Sequence, residues 1–276
     1  MDFRLLVQGS LQQKKEIETL ITETFAEADT VYNNWNPQSE ISQFNRLPAF
    51  QKKALSPLLV TLFQQVDLLT RLSEGRFDPT IDPLQRLWKA SLQKGEILSA
   101  EAIAAITPAV GWSHIHSEGS FYWKDHAQTA VDVGGIAKGY CMDLLIERLE
   151  EKGHHNAYVE WGGEVRTIGL HPAGRLWKVG IKGLGAVEMG NGSIATSGDY
   201  YQNWEVEGVT YFHIIDPRTA TPLKQSPSSI ATASVLAPTC TLADGLATTL
   251  MLFSTAEEAS KWASSLENVQ YWLGTR

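Results

Sequence analysis

Across 11 to 34 the apolar residues Ile17, Leu20, Ile21, Phe25, Ala28 and Val31 fall three or four apart, and that period predicts an amphipathic helix. The short run 3 to 8 before it reads as a first strand, and a polar loop over 33 to 45 follows. Ser56-Pro57 supplies a cap and a first-turn proline for a second helix over 56 to 73, which Gly75 stops. From 130 onward the texture changes. Short glycine-punctuated strands are predicted at 129 to 133, 156 to 160, 164 to 170, 176 to 182, 193 to 196, 209 to 215 and 229 to 236. A helix over 136 to 151, closed by Gly153, separates the first two. Two helices near 240 to 252 and 255 to 265, then a strand near 268 to 273, finish the chain. Adjacent strands with clustered helices point to an α+β fold of mixed or antiparallel sheets with packed helices, not to a doubly wound parallel sheet. With no repeat and no Pro/Ser-rich linker, residues 1 to 276 read as a single domain with two lobes.

Composition narrows the function classes. An apolar content of 43% can fill a core and excludes a disordered chain. The net charge of -8 and the absence of clustered Lys and Arg argue against a nucleic-acid surface. Cys141 and Cys240 sit in apolar helical contexts without metal-ligand spacing and read as buried thiols. The opening residues, rich in Gln and Lys after Gly9, do not form a signal peptide. Pro238 and Asp244 interrupt the apolar stretch 230 to 254, which therefore does not read as a membrane span.

Four segments could carry chemistry. In 131 to 140 a strand runs through Asp132, Gly134 and Gly135 into a helix with Lys138 in its first turn. Glycines admit an anion to the backbone, the helix start offers unpaired N–H groups, and an anionic ligand would offset a lysine that opposes the helix dipole. A tight turn with a solvated lysine fits as well. Asp244 and Thr248, four apart in an apolar helix, put a carboxylate and a hydroxyl on one face, both hard donors suited to magnesium or calcium. The alternative is a helix-start aspartate and a threonine bonded to its own helix. His213 and Ile215 share one face of a strand that runs into Asp216-Pro217, so His213 is a candidate base beside a ligand or a hydrogen-bonded structural residue. Arg76, Phe77 and Asp78 open a rigid loop of Asp-Pro steps, and Trp35 is a large ring among polar neighbours, fit to stack on a heterocycle or to anchor its loop.

In this order the segments resemble the ApbE family, the FAD:protein FMN transferases. Trp35 with Ser39-Glu40-Ile41-Ser42-Gln43-Phe44-Asn45 matches one family run, and Gly75 to Thr80, Asp132 to Gly139, Ser193 to Asp199, His213 to Thr219 and Ala243 to Thr248 match five more. Ala220 stands where the family usually has glycine, and the family's Met-Gly-Thr entry motif is absent. The resemblance implies that Trp35 stacks on the isoalloxazine, that Arg76, Phe77 and Asp78 line the FAD, and that Asp132, Lys138 and Ile215 contact it. It implies Mg²⁺ held by Gly135, Asp244 and Thr248, with His213 as the base. The implied reaction joins FMN to a Thr or Ser hydroxyl of a membrane flavoprotein subunit of Nqr/Rnf-type redox complexes. Family members are typically exported. A metal-dependent FAD pyrophosphatase and a non-catalytic FAD carrier are the rival readings.

Overall fold

The computed structural model describes residues 2–181, 185–199 and 202–276. Its first half runs β1 (Phe3–Val7), α1 (Lys14–Val31), α2 (Glu40–Asn45), β2 (Lys53–Ala54), α3 (Pro57–Leu72), α4 (Asp82–Leu92), α5 (Ala100–Ile106), β3 (Ile115–Glu118), β4 (Phe121–Lys124) and α6 (Ala137–Glu151). There follow β5 (Ala157–Trp161), β6 (Glu164–Ile168), β7 (Trp177–Ile181), β8 (Gly185–Met189), β9 (Gly192–Gly198), β10 (Asn203–Val206), β11 (Val209–Asp216), β12 (Thr221–Lys224), β13 (Ile230–Ala237), α7 (Cys240–Met251), α8 (Ala256–Ala263) and β14 (Gln270–Thr275).

The central sheet has six strands in the order β1-β5-β6-β9-β13-β14, paired antiparallel throughout. Because successive side chains on a strand point to opposite faces, the inner strands feed two cores. In β5, Ala157 and Val159 enter the main apolar cluster while Tyr158 joins Trp177 and Val179 of β7 on the other face. In β13, Ala233, Val235 and Ala237 go one way and Leu236 the other. Helices α6 and α7 cover the first face, and the antiparallel β7–β8 pair covers the second.

Helix α7 is buried on almost every side. Its start is capped twice. Thr239 Oγ1 accepts from the Leu242 N–H at 3.3 Å, and Asp143 of α6 accepts from the Cys240 and Thr241 N–H groups, each at 2.8 Å. The two helices touch backbone to backbone at Gly139, where an added Cβ would stand 2.4 Å from the Cys240 carbonyl oxygen. Only glycine permits that approach.

A smaller apolar cluster joins Leu84, Trp88 and Leu92 of α4 to Val206, Tyr211 and Ile215 of the three-stranded sheet β10-β11-β12. The apolar positions of α4 recur four apart, so its opposite face stays polar.

The α+β architecture with antiparallel sheets agrees with the sequence, but two expectations are corrected. Residues 129 to 133 do not form a strand. The Val131 N–H and carbonyl pair with the Asn45 side chain, at 2.8 Å each, so an amide takes the place of a neighbouring strand. The polar loop 33 to 45 ends in α2, capped by Ser39 and carrying buried Ile41 and Phe44, a helix too short for its period to show in the sequence. Elements α4, α5, β3, β4, β8, β10 and β12 were not anticipated either; all but α4 are under eight residues long and mix polar with apolar positions. The predicted strand at 176 to 182 is β7, with residue 182 outside the described residues. Both cysteines are buried, and burial pushes the Cys141 thiol up to about 11. Among the described residues no helix is long and apolar enough to cross a membrane.

Candidate functional site

A cavity of about 480 Å³ lies against the polar face of α4, bounded by β10, β11 and the loop that carries Trp35. Of the residues marked by the sequence, Trp35, Asp132, His213 and Ile215 line it. His213 and Ile215 come from one strand. The β11–β12 register shifts between Tyr211 and Ile215, and Phe212 reaches the cavity as well. His213 Nδ1 lies 3.3 Å from the Gln202 carbonyl oxygen. A carbonyl can only accept, so that contact assigns the ring proton to Nδ1 and leaves Nε2 basic. Burial holds the His213 pKa below the ordinary histidine value.

Sequence reading missed Arg86. Its Nε donates to Asp82 Oδ1 at 3.0 Å, and its Nη2 stands 2.9 Å from Asp82 Oδ2, so a fork four residues apart on α4 presents a cation at the cavity wall. The i,i+4 spacing was the available signal. Burial pushes both Asp82 and Asp132 above the usual carboxylate range, and Arg86 opposes that shift in both.

A second group of residues is buried at the junction of α6, α7 and β6. Lys138 Nζ donates to Glu164 Oε1 at 2.8 Å and stands 3.8 Å from Asp244 Oδ2. Asp244 Oδ2 accepts from the Gly139 N–H at 3.2 Å. The carboxyls of Glu164 and Asp244 are pushed up by burial, while the two carboxylates outweigh the desolvation of Lys138 and hold its ammonium protonated. One ammonium thus faces two carboxyl groups in a dry place. Glu164 Oε2 is buried without a hydrogen-bond partner among the described residues.

Thr248 lies one turn beyond Asp244 on α7, and its Oγ1 is 3.2 Å from Ser197 Oγ. It would lie 3.5 Å from a Cβ built on Gly135. A carboxyl, a hydroxyl and the backbone carbonyls of the neighbouring glycine turn are all hard oxygen donors, the type that suits Mg²⁺. No cluster of three or more His, Cys, Asp or Glu side chains suited to a metal occurs among the described residues, so an ion here would depend on carbonyl, hydroxyl and substrate oxygens.

Part of the helix start is engaged within the fold: Gly134 N bonds Asp132 Oδ1 at 2.8 Å, Ala137 N bonds the Val133 carbonyl at 2.8 Å, and Gly139 N bonds Asp244. Lys138 is balanced by the protein's own Glu164 and Asp244, with no ligand needed to resolve its position. Glu164 carried no local signal.

Arg76, Phe77 and Asp78 do not line the cavity. The Arg76 guanidinium lies 4.2 Å over the Phe253 ring. Asp78 spends both carboxylate oxygens inside the fold, on Thr80 and on the Trp112 N–H. Phe77 is buried, with its ring 3.0 Å from a Cβ built on Gly135, and so floors the glycine turn.

A model of the ApbE family matches residues 1–273. A Chlamydia pneumoniae protein named FAD:protein FMN transferase is 39% identical over 274 residues, which cover 98% of this chain and 87% of that protein. The flavin transferase ApbE of Vibrio cholerae superposes with a TM-score of 0.84 at 29% identity, covering 99% of this chain and 89% of that one. The apo flavinyl transferase ApbE of Pseudomonas stutzeri superposes at 0.87 with 26% identity, covering 100% and 92%.

Proposed function

The chain belongs to the ApbE family, and from that premise we propose that it is an FAD:protein FMN transferase that moves the FMN half of FAD onto a threonine or serine hydroxyl of an acceptor flavoprotein, releasing AMP. The observation that carries the site assignment is one short segment serving two places. Asp132 faces the cavity that holds His213, and three residues on Gly135 approaches Thr248.

The cavity suits a flat heterocycle. Trp35 offers an exposed ring at its mouth, and Ile215 supplies an apolar wall. The diphosphate would extend from there toward Gly135, Asp244 and Thr248, which would hold Mg²⁺. Bound there, the ion neutralises charge on the phosphate oxygens. Lys138, 3.8 Å from Asp244 Oδ2, opposes the effect of burial on that carboxyl and favours its charged form. At the cavity His213 Nε2 takes the proton of the acceptor hydroxyl as its oxygen bonds to the flavin-side phosphorus. The bond from that phosphorus to the bridging oxygen breaks, and AMP leaves with the electron pair. The family resemblance points to acceptors of the Nqr/Rnf type, whose hydroxyl would reach into the cavity from another protein.

The test incubates the chain with FAD, Mg²⁺ and an acceptor subunit bearing the target Thr or Ser, and looks for an FMN mass increment on the acceptor. The increment together with free AMP is expected. FMN released to solution with no modified acceptor would make the protein a pyrophosphatase, and bound FAD left intact would make it a carrier.

A further inference from the structure

Residues 129 to 133 form no strand, yet Val131 and Val133 are fully buried in the main core. Asp132, between them, lines the cavity instead. A slip by one residue would bury the carboxylate and put a valine in the site. Something other than a strand must fix the register, because buried backbone groups need partners.

Two asparagines do so. Asn45 bonds both polar groups of Val131. Asn34 brackets Asp132: its Nδ2 donates to the Val131 carbonyl at 2.6 Å, and its Oδ1 accepts from the Val133 N–H at 3.1 Å. The Asp132 N–H itself goes to the Pro79 carbonyl at 2.7 Å. Lys124, buried, donates to the Asn45, Ala127 and Thr129 carbonyls and anchors the approach to the segment. Asn34 is also the neighbour of Trp35 and lines the same cavity.

We propose that Asn34 is a positioning residue for FAD, joining the Trp35 loop to the Asp132–Gly135 segment so that the ring-stacking and phosphate-facing parts of the site keep one fixed spacing. The inference rests on the flavin reading given above. Asn34 acts through Asp132, Gly135 and Trp35, and its amide is needed in both senses, as donor and as acceptor.

Quenching of flavin fluorescence, with Mg²⁺ and without an acceptor, measures the effect as FAD affinity. Asn34→Leu removes both bonds and is expected to weaken FAD roughly ten-fold or more. Asn36→Ala is the control. Asn36 pins the same loop on its other side, through Asp29 at 3.2 and 2.8 Å, and its loss should change affinity by less than about two-fold. Asn34→Asp keeps the acceptor for Val133 but sets a carboxylate against the Val131 carbonyl. Protonation would restore a donor, and a part-buried carboxyl set against a carbonyl titrates above the ordinary aspartate value of about 3.9, so its deficit relative to wild type should narrow as pH falls from about 7 to about 4. If Asn34→Leu does not fold, that pH-dependent ratio decides alone. Wild-type affinity in Asn34→Leu, equal weakening in Asn36→Ala, or a pH-independent ratio in Asn34→Asp would each overturn the proposal. Failure of the wild-type chain to bind FAD is a separate outcome and refutes the flavin reading itself.

Discussion

Trp35 stands in solvent with 85% of its surface exposed, whereas Asp244 is 3% exposed inside α7. Around Trp35 the contacts are loose: Lys89 lies 5.7 Å over its ring, and the neighbouring cation, Arg86, is held on one side only. Around Asp244 almost every group is already engaged, by Lys138, the Gly139 N–H and the helix packing. The buried part arranges charge before any ligand arrives, and low polarisability there makes each charge count for more. On the proposed reading the open part takes two partners in succession, a dinucleotide and a protein hydroxyl, and would contribute through shape and one histidine.

Substitutions can break this contrast. Asp244→Ala should have the largest effect, lowering FMN transfer about a thousand-fold, the several kcal/mol that a bound cation contributes to a charged transition state. Mg²⁺-dependent AMP release persisting in that variant would remove Asp244 from the metal site. At the open end, His213→Ala should lower transfer about a hundred-fold or more while FAD affinity stays within about two-fold. Undiminished transfer would show that His213 is not the base. The wild-type profile carries the sign of the burial effect. Since the base acts unprotonated and its pKa is depressed, transfer should hold as pH falls through the ordinary histidine range of about 6.5 and fail only below it. A decline that begins above that range would contradict the buried, lowered histidine.

Gly139→Ala tests the packing beneath the buried end. Its Cβ would meet a backbone oxygen that cannot rotate away, so a loss of about 1–3 kcal/mol is expected, read as a lower Tm in thermal unfolding. An unchanged Tm would mean that α6 and α7 are less closely apposed. The smallest effect belongs to the turn after β11. Ala220 has φ +57°, a left-handed conformation that disfavours a Cβ, while its carbonyl accepts from Trp88 Nε1 at 2.8 Å. Ala220→Gly should therefore stabilise by about 1 kcal/mol or less, since relief of the Cβ strain is partly offset by the freer unfolded chain. A lower Tm would argue against strain at that position.

Local pattern determined a good deal. Ser56-Pro57 announced α3, apolar spacing announced α1, and the β-rich runs announced β5, β6, β9 and β13. Within the site, Asp244 with Thr248 and His213 with Ile215 were legible because partners four apart on a helix or two apart on a strand share a face by geometry alone. Only the tertiary structure decided that Lys138 meets Glu164, that Asn34 and Asn45 meet Val131 at 97 and 86 residues' distance, and that Arg76 turns to Phe253. A periodic pattern reports a residue's neighbours within a turn or a strand and the side it buries. It holds no record of which distant segment will satisfy a given amide, carbonyl or charge, because that partner is chosen when helices and sheets pack and each buried polar group must find one.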